Sequence, residues 1–363
     1  MPSVTLPAIP RHVPPPPTQE PLDYADLPII DLSKGKTPEG RIELSEQMRD
    51  ALNVKGFFYI INHGFSQAET DRMFDIADLP FNSVSDEERK LYSGDIKEQM
   101  SYEGYKPRQY WHIDSGVRDE IENYNIYRDV ERREHPKALR PFLPEIQKLI
   151  EHNHLNILHP ILRLLALGME LPEETFVEQH PFRGDSGNYV RFMKYWPRSE
   201  EDEAKTNNVW MKGHTDSGTI TILWSQPVAA LQIMSPDGKW RWVKHIDNAL
   251  VINAGDAMEF MSGGFYKATI HRVVQPPQDQ RGLTRLGIFY FCFTDDDVLL
   301  LPRIESPVFK SREVIRRYAD ADAPTMGTWR KSRTVAYGQT QLQKRDNGIE
   351  EEIIHGILQK HYN

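Results

Sequence analysis

His214 and Asp216 flank a single threonine in Gly213-His214-Thr215-Asp216, and His271 sits farther along in Ala268-Thr269-Ile270-His271-Arg272-Val273-Val274. Both stretches read as strands. Residues two apart on a strand face the same side, so His214 and Asp216 can converge on one ion while His271 arrives from a second strand. Two imidazoles and one carboxylate on one face of a metal leave three positions open. That suits dioxygen chemistry at a ferrous ion, and a closed structural zinc site lacks those positions. The plain alternative is a pair of hydrogen-bonded core histidines. The chain also contains a second His-x-Asp, His112-Ile113-Asp114. Its distant partner would be His159, on an expected helix beside Pro160, with no facing strand to bring it in.

The elements that must position these residues change character near residue 185. Before it, Leu27–Leu32 and Phe57–Ile61 read as strands. Thr37 and Pro38 open a helix that Gly56 ends. Ser66 with Glu69 and Ser85 with Glu88 are capping-box pairs that open two more helices. A long helix is expected from about Pro144 to Leu167, kinked at Pro160. After residue 185, strand-like runs alternate with turns: 188–196, 209–214, 218–224, 231–234, 240–243, 249–253, 258–261, 268–274 and 285–293. Many short strands at regular spacing indicate a sandwich or jelly roll. The expected fold class is mainly β with flanking helices. Residues 1–25 form a proline-rich arm, 26–180 a mixed helical region, 181–305 the β core, and 306–363 a helical extension ending in Glu350–Lys360, a candidate lid.

Beyond the metal motif, the chain resembles the isopenicillin N synthase-like branch of the Fe(II)/2-oxoglutarate-dependent dioxygenases. The resemblance runs from Leu27-Pro28-Ile29-Ile30-Asp31-Leu32-Ser33 and Gly56–Gly64 through Ala166–Pro172 to the metal motif. It is densest over Leu231-Gln232-Ile233, Asp237–Trp240, Asn253-Ala254-Gly255-Asp256, Ser262-Gly263-Gly264 and His271–Val274. It implies a distorted double-stranded β-helix, with Fe(II) on His214, Asp216 and His271. It also implies 2-oxoglutarate and O2 as co-substrates, and oxidative decarboxylation to succinate and CO2 coupled to oxidation of an unactivated C–H bond. Hydroxylation is the default outcome; desaturation or ring formation needs only a differently held substrate. Pro276-Pro277 after His271 is similar to fungal members, many of which serve secondary metabolism or nucleobase salvage.

The family holds 2-oxoglutarate with an Arg-x-Ser motif and an earlier tyrosine. The matching positions here are Arg285, with Gly287 in place of the serine, and Tyr195, with Met193 where asparagine is often found. Arg281 is a competitor for the arginine, but it lies in a turn-rich loop, whereas Arg285 opens an apolar strand. A buried arginine needs an anionic partner, and the far carboxylate of 2-oxoglutarate supplies one; the alternative partner is an acid of the protein. Strand alternation puts Tyr189, Arg191 and Met193 on the face of Tyr195, and Phe289, Phe291 and Phe293 on that of Arg285. It puts Trp210 and Lys212 on the face of His214, as a rim. Arg191, Met193, Phe291, Phe293, Trp210 and Lys212 are therefore candidate substrate contacts, with Arg191 facing either a substrate acid or carbonyl or a protein carboxylate such as Glu122. Asp256 reads as a turn-forming acid rather than a ligand.

Composition narrows the setting. A net charge of -9 disfavours nucleic acid and acidic membranes as partners. Cys292 is the single cysteine, so no intrachain disulfide forms. No signal peptide or spanning run is visible, so a cytoplasmic location and a small-molecule substrate are expected. Subunit number is not written in the sequence. Two other functions fit the same residues: an iron oxidase of this fold that uses no 2-oxoglutarate, and a non-catalytic ligand-binding relative. Succinate release separates the first from a dioxygenase; an intact triad argues against the second.

Overall fold

The computed structural model describes residues 7–340, 342–344 and 349–362. The described part of the arm lies on the body. His12 donates its backbone N–H to Asp75 at 2.7 Å, Thr18 donates to Asp279 at 2.6 Å, and Gln280 donates to the carbonyl of Pro16 at 2.9 Å.

In chain order the first half contains β1 (Ile29–Asp31), α1 (Pro38–Val54), β2 (Phe57–Ile61), α2 (Gln67–Asn82), α3 (Asp86–Leu91) and α4 (Ile96–Gln99). There follow β3 (Gly104–Lys106), β4 (His112–Asp114), β5 (Val117–Arg118), β6 (Ile121–Tyr127), α5 (Leu143–Glu151) and α6 (His159–Gly168). The second half contains β7 (Tyr189–Tyr195), α7 (Glu200–Lys205), β8 (Val209–His214), β9 (Ile220–Trp224), β10 (Leu231–Met234) and β11 (Trp240–Trp242). It continues with β12 (Leu250–Ala254), α8 (Asp256–Met261), β13 (His271–Val274), β14 (Arg285–Cys292), α9 (Met326–Ala336), β15 (Gln343–Lys344), β16 (Glu350–Ile354) and β17 (Ile357–His361).

Among the described residues, the larger sheet runs β1-β2-β12-β9-β14-β7-β6-β3, and a smaller one runs β11-β10-β13-β8. These are the two walls of a jelly roll. Alternation along each strand splits the core. Ile220, Ile222 and Trp224 of β9 turn outward with Ile252, Ile288 and Tyr290 against α1, α2, α5 and α6. Leu223, Val251, Met193 and Tyr195 turn inward toward Met211, Leu231 and Val273 of the smaller sheet. The site lies between the walls.

Local sequence accounts for most boundaries. Thr37 accepts the N–H of Gly40 at 3.0 Å and caps α1. Ser66 and Glu69 form both halves of a capping box on α2. On α3 only the Ser85 half forms, because the Glu88 carboxylate takes the N–H of Lys137 at 2.7 Å.

Three expectations are corrected. The long helix is broken by a π-helical stretch at His152–Leu158 and resumes as α6, in which Pro160 is the second residue. A proline lacks an N–H and cannot close the regular ladder, and the wide turn absorbs the mismatch. The run 258–261 is not a strand but lies in α8, since a four-residue run with three apolar positions carries no decisive period and Ala257, Met258, Glu259 and Met261 favour helix. Glu350–Lys360 is not helical: it forms the β16–β17 hairpin, with Glu350 opposite His361 and Ile353 opposite Leu358.

Candidate active site

His214 ends β8 and His271 begins β13, and the two residues are directly paired across the smaller sheet. Each ring is fixed through Nδ1: His214 to the carbonyl of Lys212 at 2.7 Å, His271 to that of Thr269 at 3.1 Å. A proton on Nδ1 leaves the Nε2 lone pair for a metal. The two Nε2 atoms stand 3.8 and 3.7 Å from Oδ1 of Asp216, and the three ligand atoms lie within 4.8 Å of one another. The other carboxylate oxygen is engaged elsewhere: Oδ2 accepts from Thr221 Oγ1 at 2.6 Å and from Asn253 Nδ2 at 2.9 Å.

Protonation states match the geometry. Burial, reinforced by His271, pushes the His214 imidazole down to about 3. Burial alone would raise the Asp216 carboxyl, but the two imidazoles and the bonds from Asn253 and Thr221 outweigh it and hold the group below its usual range. A neutral imidazole beside an ionised carboxylate is what a divalent metal binds. The other His-x-Asp is not gathered: His112 is exposed on β4, and His159 Nε2 meets the carbonyl of His180 at 2.8 Å.

The triad opens into a cavity of about 1090 Å³, mouth included. Arg285 and Tyr195 both line it, as directly opposed residues of β14 and β7. The guanidinium sits 5.2 Å from the Tyr195 ring centroid. It is 3% exposed, and among the described residues its Nε and Nη1 have no hydrogen-bond partner. Desolvation lowers its pKa, and burial pushes the Tyr195 phenol up to about 12. An orphaned buried cation beside a phenol fits an incoming carboxylate. Arg281 is exposed in the loop before β14. The missing serine has a physical reason: a Cβ at Gly287 would lie 2.8 Å from the Phe289 ring, which covers that position.

Arg191, Met193, Phe291 and Phe293 also line the cavity. Arg191 Nε donates to Asn125, its cross-strand neighbour, at 2.7 Å, and the guanidinium lies 5.0 Å from the ring centroids of Tyr102 and Phe291. Glu122 does not reach it; that carboxylate pairs with Arg89 at 3.1 Å.

Trp210 and Lys212 are corrected. Neither lines the cavity; Met211 does. The pairing of His271 with His214 and of Val273 with Met211 spans one extra residue on β8. This bulge reverses the alternation. Trp210 therefore stacks on Tyr195 at 6.2 Å and donates Nε1 to Glu203 at 2.6 Å. Lys212 forms a buried ion pair with Glu350 of β16. Asp256 is no turn acid: it starts α8 and pairs with Arg333 at 3.0 Å.

Other cavity residues carried no sequence signal of a role. Phe57 meets the His271 ring edge-on at 5.5 Å, and Tyr337 of the C-terminal segment meets His214 at 5.4 Å. Asn253 and Thr221 did leave a trace, since each is polar in an otherwise apolar strand and a buried polar group needs a partner.

Residues 187–294 match the model of the 2OG-Fe(II) oxygenase superfamily, and residues 27–145 match that of the non-haem dioxygenase in morphine synthesis N-terminal. A homoarginine-6-hydroxylase 2-ODD-C23 of Glycine max is 26% identical, over 77% of this chain and 89% of that protein. The 2-oxoglutarate-dependent dioxygenase frbH of Dothideomycetidae sp. is 28% identical, over 78% and 86%. A full-length Neurospora crassa protein, crystallised in complex with alpha-KG and thymine, has the same fold, with a TM-score of 0.73 at 23% identity, covering 85% of this chain and 96% of that one. No described helix is long and apolar enough to cross a membrane. With both halves matched in order and a two-histidine, one-carboxylate cluster at the junction of the sheets, the chain belongs to the 2OG-Fe(II) oxygenase superfamily and is a 2-oxoglutarate-dependent dioxygenase using Fe(II) and O2.

Proposed function

We propose that His214, Asp216 and His271 hold the Fe(II), that Arg285 and Tyr195 bind the distal carboxylate of 2-oxoglutarate, and that Arg191 anchors the primary substrate. The observation that carries this reading is the Arg285 guanidinium, buried in the same cavity as the triad with no acid partner among the described residues. When bound, the iron supplies oxidation of an unactivated C–H bond at the expense of 2-oxoglutarate and O2. The chain's own work is positional. Thr221 and Asn253 leave one oxygen of Asp216 for the metal. The Nδ1 bonds to Lys212 and Thr269 fix the imidazoles. Tyr102, Trp111, Phe289 and Phe291 exclude water. No side chain is required as a general base.

The substrate this cavity favours is a small planar or apolar molecule with one acidic or carbonyl group. The aromatic rings offer faces for a flat ring, and Arg191 offers donors to an acceptor that the protein leaves incomplete. Thymine, the ligand of the Neurospora crassa complex, is a flat carbonyl-bearing ring of this class. The test is a succinate-release assay on purified protein loaded with Fe(II), run against a panel of planar acids and carbonyl heterocycles. Release that depends on Fe(II), is stimulated by a member of the panel and disappears in His214→Ala supports the assignment. Substrate oxidation without succinate would instead establish an oxidase.

A further inference from the structure

The C-terminal segment grips the metal motif on both sides of His214. Lys212 pairs with Glu350, and Gly213 exchanges two backbone hydrogen bonds with Tyr362, at 2.7 and 3.1 Å. Arg333 of α9 is the centre of the grip and is 6% exposed. Its Nη2 donates to the carbonyl of Thr215 at 2.7 Å, and its Nη1 donates to Asp256 at 3.0 Å and to Gln359 of β17. Asp256 closes a ring, since its backbone N–H donates to the carbonyl of Asp216 at 2.7 Å. One guanidinium therefore joins the backbone between two candidate ligands, the helix that follows β12, and the hairpin.

We infer that Arg333 is a positioning residue: it couples docking of the C-terminal segment to the order of the metal motif, so that the closed cap and the ligand-ready triad form together. This rests on the iron reading above. The hairpin turns Glu350, Glu352, Gln359 and His361 inward, buries Ile354 and Ile357 only near its turn, and leaves Ile353 and Leu358 exposed at 75% and 45%. Four of the six inward positions are polar, so the hairpin gives up the burial of two isoleucines when it lifts, while water replaces the partners of the polar four. Elements with few buried apolar contacts are those that open most readily. Lifting the hairpin breaks the Lys212–Glu350 pair and both Gly213–Tyr362 bonds, and takes Gln359 from the guanidinium that holds the Asp256 carboxylate and the Thr215 carbonyl beside Asp216. The open state is therefore one in which the motif has lost its outer support. Coupling between two sites is reciprocal, so metal on the triad must hold the segment down by the factor with which the docked segment tightens metal.

The experiment is limited chymotrypsin digestion of the full chain with and without Mn(II), a redox-quiet probe, with fragments assigned by mass, alongside Mn(II) titration. In the wild type, Mn(II) slows cleavage within the hairpin, residues 349–362, by on the order of tenfold, a usual size for coupled sites. Arg333→Gln binds Mn(II) more weakly by a similar factor and loses the metal-dependent protection. Glu350→Gln, which breaks the grip from the hairpin side and leaves the Arg333–Asp256 pair in place, shifts both readouts in the same direction and serves if Arg333→Gln folds poorly. Mn(II) bound with no change in cleavage, or protection undiminished in a folded variant, overturns the coupling alone. A wild type that binds no Mn(II) overturns the iron reading and the coupling with it.

Discussion

Asn253 donates to Oδ2 of Asp216, and Thr221 donates to the same atom, so only Oδ1 faces the two imidazoles. The carboxylate is held in one rotation, with one oxygen for a metal. Partners of this kind typically contribute about 10- to 100-fold in metal affinity. We expect Asn253→Ala and Thr221→Val each to weaken Mn(II) binding within that range while the metal-free protein keeps its melting temperature to within a few degrees. Metal titration against thermal unfolding checks this. Wild-type affinity in both variants would mean that Asp216 needs no outer support.

Replacing a ligand is a larger insult. His214→Ala, Asp216→Ala and His271→Ala should each abolish Fe(II)-dependent succinate release, with the fold retained. In the proposed site three protein ligands hold the ion, so losing one would release it or rearrange its open positions. Near wild-type turnover in any of the three would remove that residue from the triad.

Arg285 and Arg281 separate two registers for the last strand. Breaking a desolvated ion pair from one side costs about 3–5 kcal/mol. Arg285→Gln should therefore raise the 2-oxoglutarate concentration needed for half-maximal rate by two orders of magnitude or more. The exposed Arg281→Gln should leave it within twofold. If the two variants exchange behaviour, the carboxylate anchor is in the loop and not on β14.

The inward faces of β7 and β14 were readable from sequence because each of these strands keeps strict alternation. Arg285 and Tyr195 fall directly opposite one another, as their shared inward face requires. The same logic failed on β8, where one extra residue between His214 and Met211 reverses the faces. A bulge is set by the pairing of two strands, and neither strand's sequence announces it. The C-terminal hairpin was missed for a related reason. Only Ile354 and Ile357 of its inward positions are apolar; the other four, Glu350, Glu352, Gln359 and His361, meet Lys212, Arg333 or one another. A strand that buries polar residues has the opposite pattern from the one periodicity detects.

Three imidazoles near the π-helical stretch should make the protein acid-labile above the carboxylate range. Burial, the largest influence on each, pushes His154 down to about 3, and His152 and His180 down to about 4. His154 bonds Tyr290 and the carbonyl of His180, and His180 bonds Thr219, so the neutral rings are built into the packing. The folded values lie below the ordinary 6.5. This stability is complete above pH 6.5 and is lost as pH falls toward 4, where the unfolded chain takes up protons that the fold refuses. Each unit of difference is worth about 1.4 kcal/mol. His214 adds to the loss in metal-free protein. Urea midpoints measured from pH 7.5 to 4.5 should fall steadily, and a flat profile would show that these rings titrate freely.

Arg191 tests the substrate end of the cavity. Its neighbours are Asn125 at 2.7 Å, the Tyr189 hydroxyl at 3.3 Å, and the faces of Tyr102, Tyr189 and Phe291 at 5.0 to 5.3 Å. All are neutral, and among the described residues no carboxylate pairs with it. Aromatic faces attract a guanidinium by about 0.5–2 kcal/mol each, which offsets part of its desolvation and leaves donors for an acceptor on the substrate. Arg191→Leu keeps the aromatic packing and removes those donors. Substrate KM should rise by at least tenfold, or succinate release should continue without product, while 2-oxoglutarate binding and Tm stay near wild type. Arg191→Lys should recover only part of the loss, because an ammonium cannot reproduce a planar, two-pronged contact. The opposite pattern is equally readable. If Arg191→Leu melts many degrees lower and its folded fraction binds substrate normally, the guanidinium serves the packing of β6 against β7, and the anchor for the substrate's polar group must be sought among Ser101, Tyr127 and Arg330 at the same end of the cavity.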